Sequence, residues 1–163
     1  MSSDIDASTL HRFFDDKVAG VRRASTAGAD SPTFTTVPVS CELRLFTPVS
    51  SADVVELVKK LPDKQCTSDP LPTWLLKQSV EVLAPFLCRL FNWSLQSGTV
   101  PLTFKFAYIT PLLKKADLDP ADAKSYRPIS NLSVISKLLE RLVSKQLLRY
   151  LKDNDLLRPS VGI

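Results

Sequence analysis

Apolar residues recur at helical spacing in four stretches of the chain, and a short strand-like region lies between the last two. Leu10, Phe13, Phe14, Val18 and Val21 fall near one face of an amphipathic helix over residues 10–23. Residues 24–39, rich in Ser, Thr, Ala, Gly, Asp and Pro, read as a linker. Ser50 or Ser51 is placed to cap a second helix, with Asp53 in its first turn and Val54, Val55, Leu57, Val58 and Leu61 turned inward until Pro62 stops it. Residues 64–72 read as a loop, and Thr73 as the cap of a further helical turn. A longer helix follows from about Val80 to Ser97, closed by Gly98 in the left-handed region. Trp74 and Trp93 are expected in the core.

Beyond Pro101 the period changes. Phe106, Tyr108, Ile109, Leu112 and Leu113 predict a short strand, at a sheet edge or bent at Pro111. Asp117 to Ala123 is a polar loop. Tyr126-Arg127-Pro128-Ile129-Ser130 is extended, because a residue before proline avoids the helical region. The last helix runs from about Ser133 to Asp153, with an apolar face that includes Leu138, Leu139, Leu142 and Leu147. The fold class expected is α+β, mostly helical, with a small incomplete sheet around residues 105–130.

Composition leaves that picture in place: 44% hydrophobic and 23% charged residues are ordinary for a globular domain. Twelve prolines against four glycines imply stiff connections and many element boundaries. Charge adds more. Residues 105–152 hold ten Lys or Arg against four Asp or Glu, so this stretch carries +6 within a chain of net +4. Such a concentration suits phosphate backbones, an anionic surface or an acidic partner. In the last helix Lys137, Arg141, Lys145 and Arg149 recur every fourth residue, drifting roughly 40° per step into a slanted stripe. Charge alone leaves a solvated face and a phosphate contact equally open.

Cys41, Cys66 and Cys88 are odd in number and lack a C-x-x-C pair, which fits buried free thiols in a reducing compartment better than a metal centre or a disulfide framework. His11 has no Cys or His at ligand spacing. Met1 is followed by Ser-Ser-Asp, not by a secretory leader, and the apolar run from Val82 to Trp93 is too short to span a bilayer. An intracellular location, nucleus or cytoplasm, is expected, with no membrane partner. The glycosylation triplets at Asn92 and Asn131 are then coincidences.

The order of the pieces resembles a known family. Asp69-Pro70-Leu71-Pro72-Thr73-Trp74-Leu75-Leu76-Lys77 before a long helix is similar to the region preceding the polymerase core of non-LTR (LINE-type) retrotransposon reverse transcriptases. Ile109-Thr110-Pro111-Leu112-Leu113-Lys114-Lys115, a short acidic loop, and Tyr126-Arg127-Pro128-Ile129-Ser130-Asn131-Leu132 resemble that family's first fingers motif. Lys137-Leu138-Leu139-Glu140-Arg141 continues into its fingers helix. The strong part spans about residues 46–158. The expected organisation is an N-terminal helix and linker over 1–45 and a partial fingers region over 46–163, without a palm.

The resemblance implies an RNA or DNA template-primer as partner and makes Lys114, Lys115 and Arg127 candidate nucleic-acid contacts, with Lys137 and Arg141 on the helix. Arg127 pairing with a carboxylate such as Glu140 is the competing reading, and Tyr126, Pro128 and Ile129 are expected to pack. In the family, polymerisation uses metal-holding palm carboxylates that follow the Arg-Pro-Ile segment. No such pattern occurs here, and Arg158-Pro159-Ser160-Val161-Gly162-Ile163 stands where a Gln-Ser-aromatic-Arg run is expected. The implication is a fragment with no catalytic residues, no metal site and no cofactor of its own, Mg²⁺ belonging to the complete polymerase. Phe13-Phe14-Asp15-Asp16 mimics an aromatic-x-Asp-Asp motif but lies upstream in a helical pattern. The alternative is a non-enzymatic helical module that binds nucleic acid or protein.

Overall fold

The computed structural model describes residues 5–28, 33, 42–63 and 69–157. Most of the expected linker, Cys41, Cys66, residues 64–68 and the terminal run from Arg158 lie outside them. The described residues form two compact units. One gathers the first helix with Tyr108–Ser130; the other takes residues 42–107 and 131–157.

The larger unit is helical. In it, α2 (Ser51–Lys59) starts on a capping box: Asp53 N–H donates to Ser50 Oγ at 3.2 Å, and Ser50 N–H donates to the Asp53 carboxylate at 2.8 Å. A short helix, α3, covers Thr73–Gln78. The cap position belongs to Pro72, and Thr73, expected as the cap, is a buried first helical residue. α4 (Val80–Ser97) ends at Gly98 with φ +64, a conformation that glycine adopts without strain. α5 (Val134–Asp153) begins at Ser133, whose Oγ accepts from Ser136 N–H at 3.2 Å.

Val54 and Val58 of α2, Leu76 of α3, Phe91 of α4 and Leu138 of α5 are fully buried at the centre of one core. Val80, Ala84, Leu87, Phe91 and Leu95 recur every three or four residues and give α4 its inward stripe. Trp93 lies two residues past Phe91, about 200° around the helix, so it is 53% exposed instead of in the core. Trp74, two residues before Leu76, is likewise 54% exposed. Leu147 is exposed as well, near the end of α5 where the apolar face runs past the core.

An extended segment from residue 42 crosses these helices. Thr47 N–H donates to Gln146 Oε1 at 2.7 Å, and Gln146 Nε2 donates to Thr47 O at 2.9 Å. Two residues on, Val49 N–H donates to Asn92 Oδ1 at 2.7 Å, and Asn92 Nδ2 donates to Val49 O at 2.8 Å. One carboxamide from α5 and one from α4 thus hold alternate residues of the strap, while Phe46 and Val49 pack on the core. Asn92 is committed to this clamp.

In the smaller unit, α1 (Ala7–Thr26) is capped by Asp6, which accepts from Thr9 N–H at 2.8 Å. Its apolar face seats only Leu10; Phe13 and Phe14 are half-buried, and Val18 and Val21 are exposed. Asp15 and Asp16 stand in the middle of this helix. Strand β1 (Ala107–Leu113) and strand β2 (Tyr126–Leu132) form a two-stranded antiparallel sheet. Lys114 N–H donates to Ser125 O at 2.9 Å and closes the ladder. With two strands of seven residues, that bond sets Leu113 opposite Tyr126 and Pro111 opposite Pro128. The strand therefore runs through Pro111 at a sheet edge, the first of the two expectations, because the proline falls in a non-hydrogen-bonded pair. Pro128 and Ile129, expected to pack, are exposed.

Candidate nucleic-acid interface

Strand alternation places side chains at 108, 110, 112 and 114 on one face of the hairpin, with 125, 127 and 129 beside them. Arg127 stands across from Leu112, next to Lys114, and Tyr108, Leu112 and Ile129 complete an exposed face of mixed apolar and cationic groups. The Lys114 ammonium donates to Lys124 O at 2.6 Å, so it bridges the two ends of the loop. The side chains of Lys115 and Arg127 make no ion pair or hydrogen bond with any described residue, and the pairing of Arg127 with Glu140 is not formed.

The acids of the loop shape it. Asp119 accepts from Ala121 N–H and Asp122 from Lys124 N–H, each at 2.9 Å, and the Tyr126 hydroxyl donates to Pro120 O at 3.0 Å. These are Asx-type turns, which explain a polar loop that holds its form without a core. Lys124 was not among the residues singled out in the sequence. It is an exposed cation between Lys115 and Arg127, and its place just before Tyr126-Arg127 was the signal available.

The stripe of α5 belongs to the other unit and is partly neutralised. Arg149 pairs with Asp153 at 3.5 Å. Lys145 lies near enough to Asp53 and Glu56 to help hold both carboxyls below their usual range; hydrogen bonds from Ser50 and Lys60 respectively do more. Lys137, half-buried, and Arg141, exposed, have no side-chain partner among the described residues. The five candidates therefore fall into two sets, three on the hairpin and two on α5, and four of the five have no partner for their charge among the described residues.

Among the described residues, no three His, Cys, Asp or Glu side chains form a group able to hold a metal ion. No helix among them is long and apolar enough to cross a membrane. The cysteine described there, Cys88, is half-buried, and its thiol donates to Val49 O at 3.1 Å.

No protein-family model matches the chain. It is 34% identical over 101 residues to the RNA-directed DNA polymerase from mobile element jockey of Drosophila melanogaster, 61% of this chain and 11% of that one. The jockey polymerase of Drosophila funebris matches at 35% over 102 residues, and the probable RNA-directed DNA polymerase from transposon BS of Drosophila melanogaster at 33% over 101. Over about three fifths of its length this chain is thus a relative of RNA-directed DNA polymerases from LINE-type, non-LTR mobile elements. It spans about a tenth of the length of the relatives it matches.

Proposed function

We propose that these residues are a template-binding fingers portion of a retrotransposon reverse transcriptase, and that alone they do not polymerise DNA. The observation that carries the reading is the match to the jockey polymerases, taken with cations on the hairpin that no described acid neutralises. Lys114, Lys115 and Arg127, with Lys137 and Arg141, bind phosphates of an RNA or DNA template-primer and hold its backbone without reading sequence. Lys124 joins them. The palm carboxylates that would hold Mg²⁺ belong to the complete polymerase, which works inside the cell.

Binding of a labelled RNA–DNA hybrid, followed by anisotropy across a salt series, tests the first half. Each phosphate neutralised by a cation steepens the log–log salt slope by about 0.9. Replacing Lys114, Lys115, Arg127, Lys137 and Arg141 with Ala flattens that slope by roughly one for each phosphate left without its cation. Unchanged affinity and slope would return these residues to solvated surface. Template-dependent primer extension by this chain, abolished by changing one of its own carboxylates, would refute the second half.

A second reading is favoured by one observation: Val82, Phe86 and Trp93 form an outward stripe on α4, each more than half exposed. In that reading the helical unit binds a protein partner through apolar contacts.

A further inference from the structure

The two-stranded sheet has no third strand on either side among the described residues, and both of its outer edges carry a proline at the same level. Lys114 N–H points across the ladder to Ser125 O. Alternate residues of a strand direct their backbone polar groups to the same side, so in β1 the groups of 108, 110 and 112 also point inward. Those of 107, 109, 111 and 113 face out. In β2 the groups of 127, 129 and 131 point inward, and those of 126, 128, 130 and 132 face out. Pro111 is an interior position of the outer row of β1, and Pro128 an interior position of the outer row of β2.

An exposed edge is a template for a further strand, and this hairpin is otherwise well suited to extension. Its faces are exposed, its strands are seven residues long, and Tyr108, Ile109, Leu112 and Ile129 are strand-forming residues. Proline removes an N–H that a docking strand would need from the interior of each edge, and its ring stands in that strand's path. Neither proline costs the hairpin an internal bond, since each occupies a non-hydrogen-bonded pair.

We propose that Pro111 and Pro128 are paired edge guards that close both sides of the hairpin to strand addition and keep copies of this chain from joining through it. Partners then reach the hairpin through its faces only.

The test uses the 163-residue chain in sedimentation velocity and amide infrared spectroscopy, beside the wild type. Pro111→Thr or Pro128→Thr opens one edge, and two copies can pair through it in a closed, two-fold manner. Each single variant is expected to shift from monomer towards dimer. The double variant, open on both edges, is expected to form larger species with added intermolecular sheet signal. Adding Ile109→Pro and Ser130→Pro to the double variant puts proline back in both outer rows and is expected to restore the wild-type sedimentation profile. That rescue separates edge opening from misfolding, which extra prolines would not repair. Single and double variants that sediment as the wild type, with hairpin amide protection retained, would overturn the proposal. So would association that the added prolines do not reverse.

Discussion

Asp69 ties the proline-rich loop to the last helix across 65 positions of sequence, and its removal is a sharp test of the fold. One carboxylate oxygen accepts from Val134 N–H at 2.6 Å, and the other from Leu71 N–H at 3.1 Å. Val134 is the first residue of α5, so its N–H is one of the donors a helix leaves unsatisfied at its start. Asp69→Ala strands both donors. Hydrogen bonds to a charged group contribute about 1.5–3 kcal/mol each, and water reaching this half-buried site recovers part of that. A net loss of about 2–3 kcal/mol is expected. For a chain of this size each kcal/mol lowers Tm by roughly 2–4 °C, giving a fall of about 5–10 °C by circular dichroism. Asp69→Asn keeps an acceptor and loses the charge at the positive helix end, and should fall about half as far. Ser133→Ala removes only the local cap, at about 1 kcal/mol. If Asp69→Ala melted with the wild type, or Asp69→Asn melted as low as Asp69→Ala, the bridging role assigned to this carboxylate would be wrong.

Asn92→Ala and Gln146→Ala should each release one end of the strap, costing about 1–2 kcal/mol and raising exchange of the Val49 and Thr47 amides respectively; unchanged exchange would refute the clamp. Ser50→Ala should lower the urea midpoint by the equivalent of about 1 kcal/mol, through loss of the capping box. The Asp53 carboxyl is held below its ordinary value, chiefly by the Ser50 hydroxyl and then by the Ser50 N–H. A depressed carboxyl adds stability above its unfolded pKa and loses it as pH falls through the native one, so the box should fail only below about pH 4. Urea midpoints of wild type and Asp53→Asn should therefore converge in acid. A gap that stayed constant down to about pH 2 would count against the assignment.

The helices were legible because their signals are local. Ser50 with Asp53, Gly98, and Ser133 each mark a boundary with their own chemistry, and the structure uses all of them. The hairpin was half legible. Its extended runs show in the sequence, but edge and bend stay open at Pro111, because whether a proline harms a strand depends on which way its N–H position faces, and that is set by pairing. What sequence could not give is what lies between elements. Nothing near Asp69 announces that its partner is Val134, and neither Asn92 nor Gln146 hints that it holds the backbone of residues 49 and 47. The tryptophans failed for a related reason: size suggested burial, whereas two residues of helical phase turned both outward.

The surface carries two kinds of unmet chemistry, and they make opposite predictions. Among the described residues, Arg127, Lys115, Arg141 and the half-buried Lys137 lack partners for their charge, while Val82, Phe86 and Trp93 on α4 lack apolar cover. Binding through the cations releases counterions and weakens steeply as salt rises. Association through the apolar stripe buries hydrocarbon, which salt leaves nearly untouched or strengthens. The hairpin cations and the α4 stripe also lie on different units, so variants in one leave the other's chemistry intact. A hybrid-binding signal lost with the cations and kept in Phe86→Ser would assign the nucleic acid to the basic residues and reserve α4 for protein. The reverse pattern would make the helical unit the binding module and leave the cations as solvated surface.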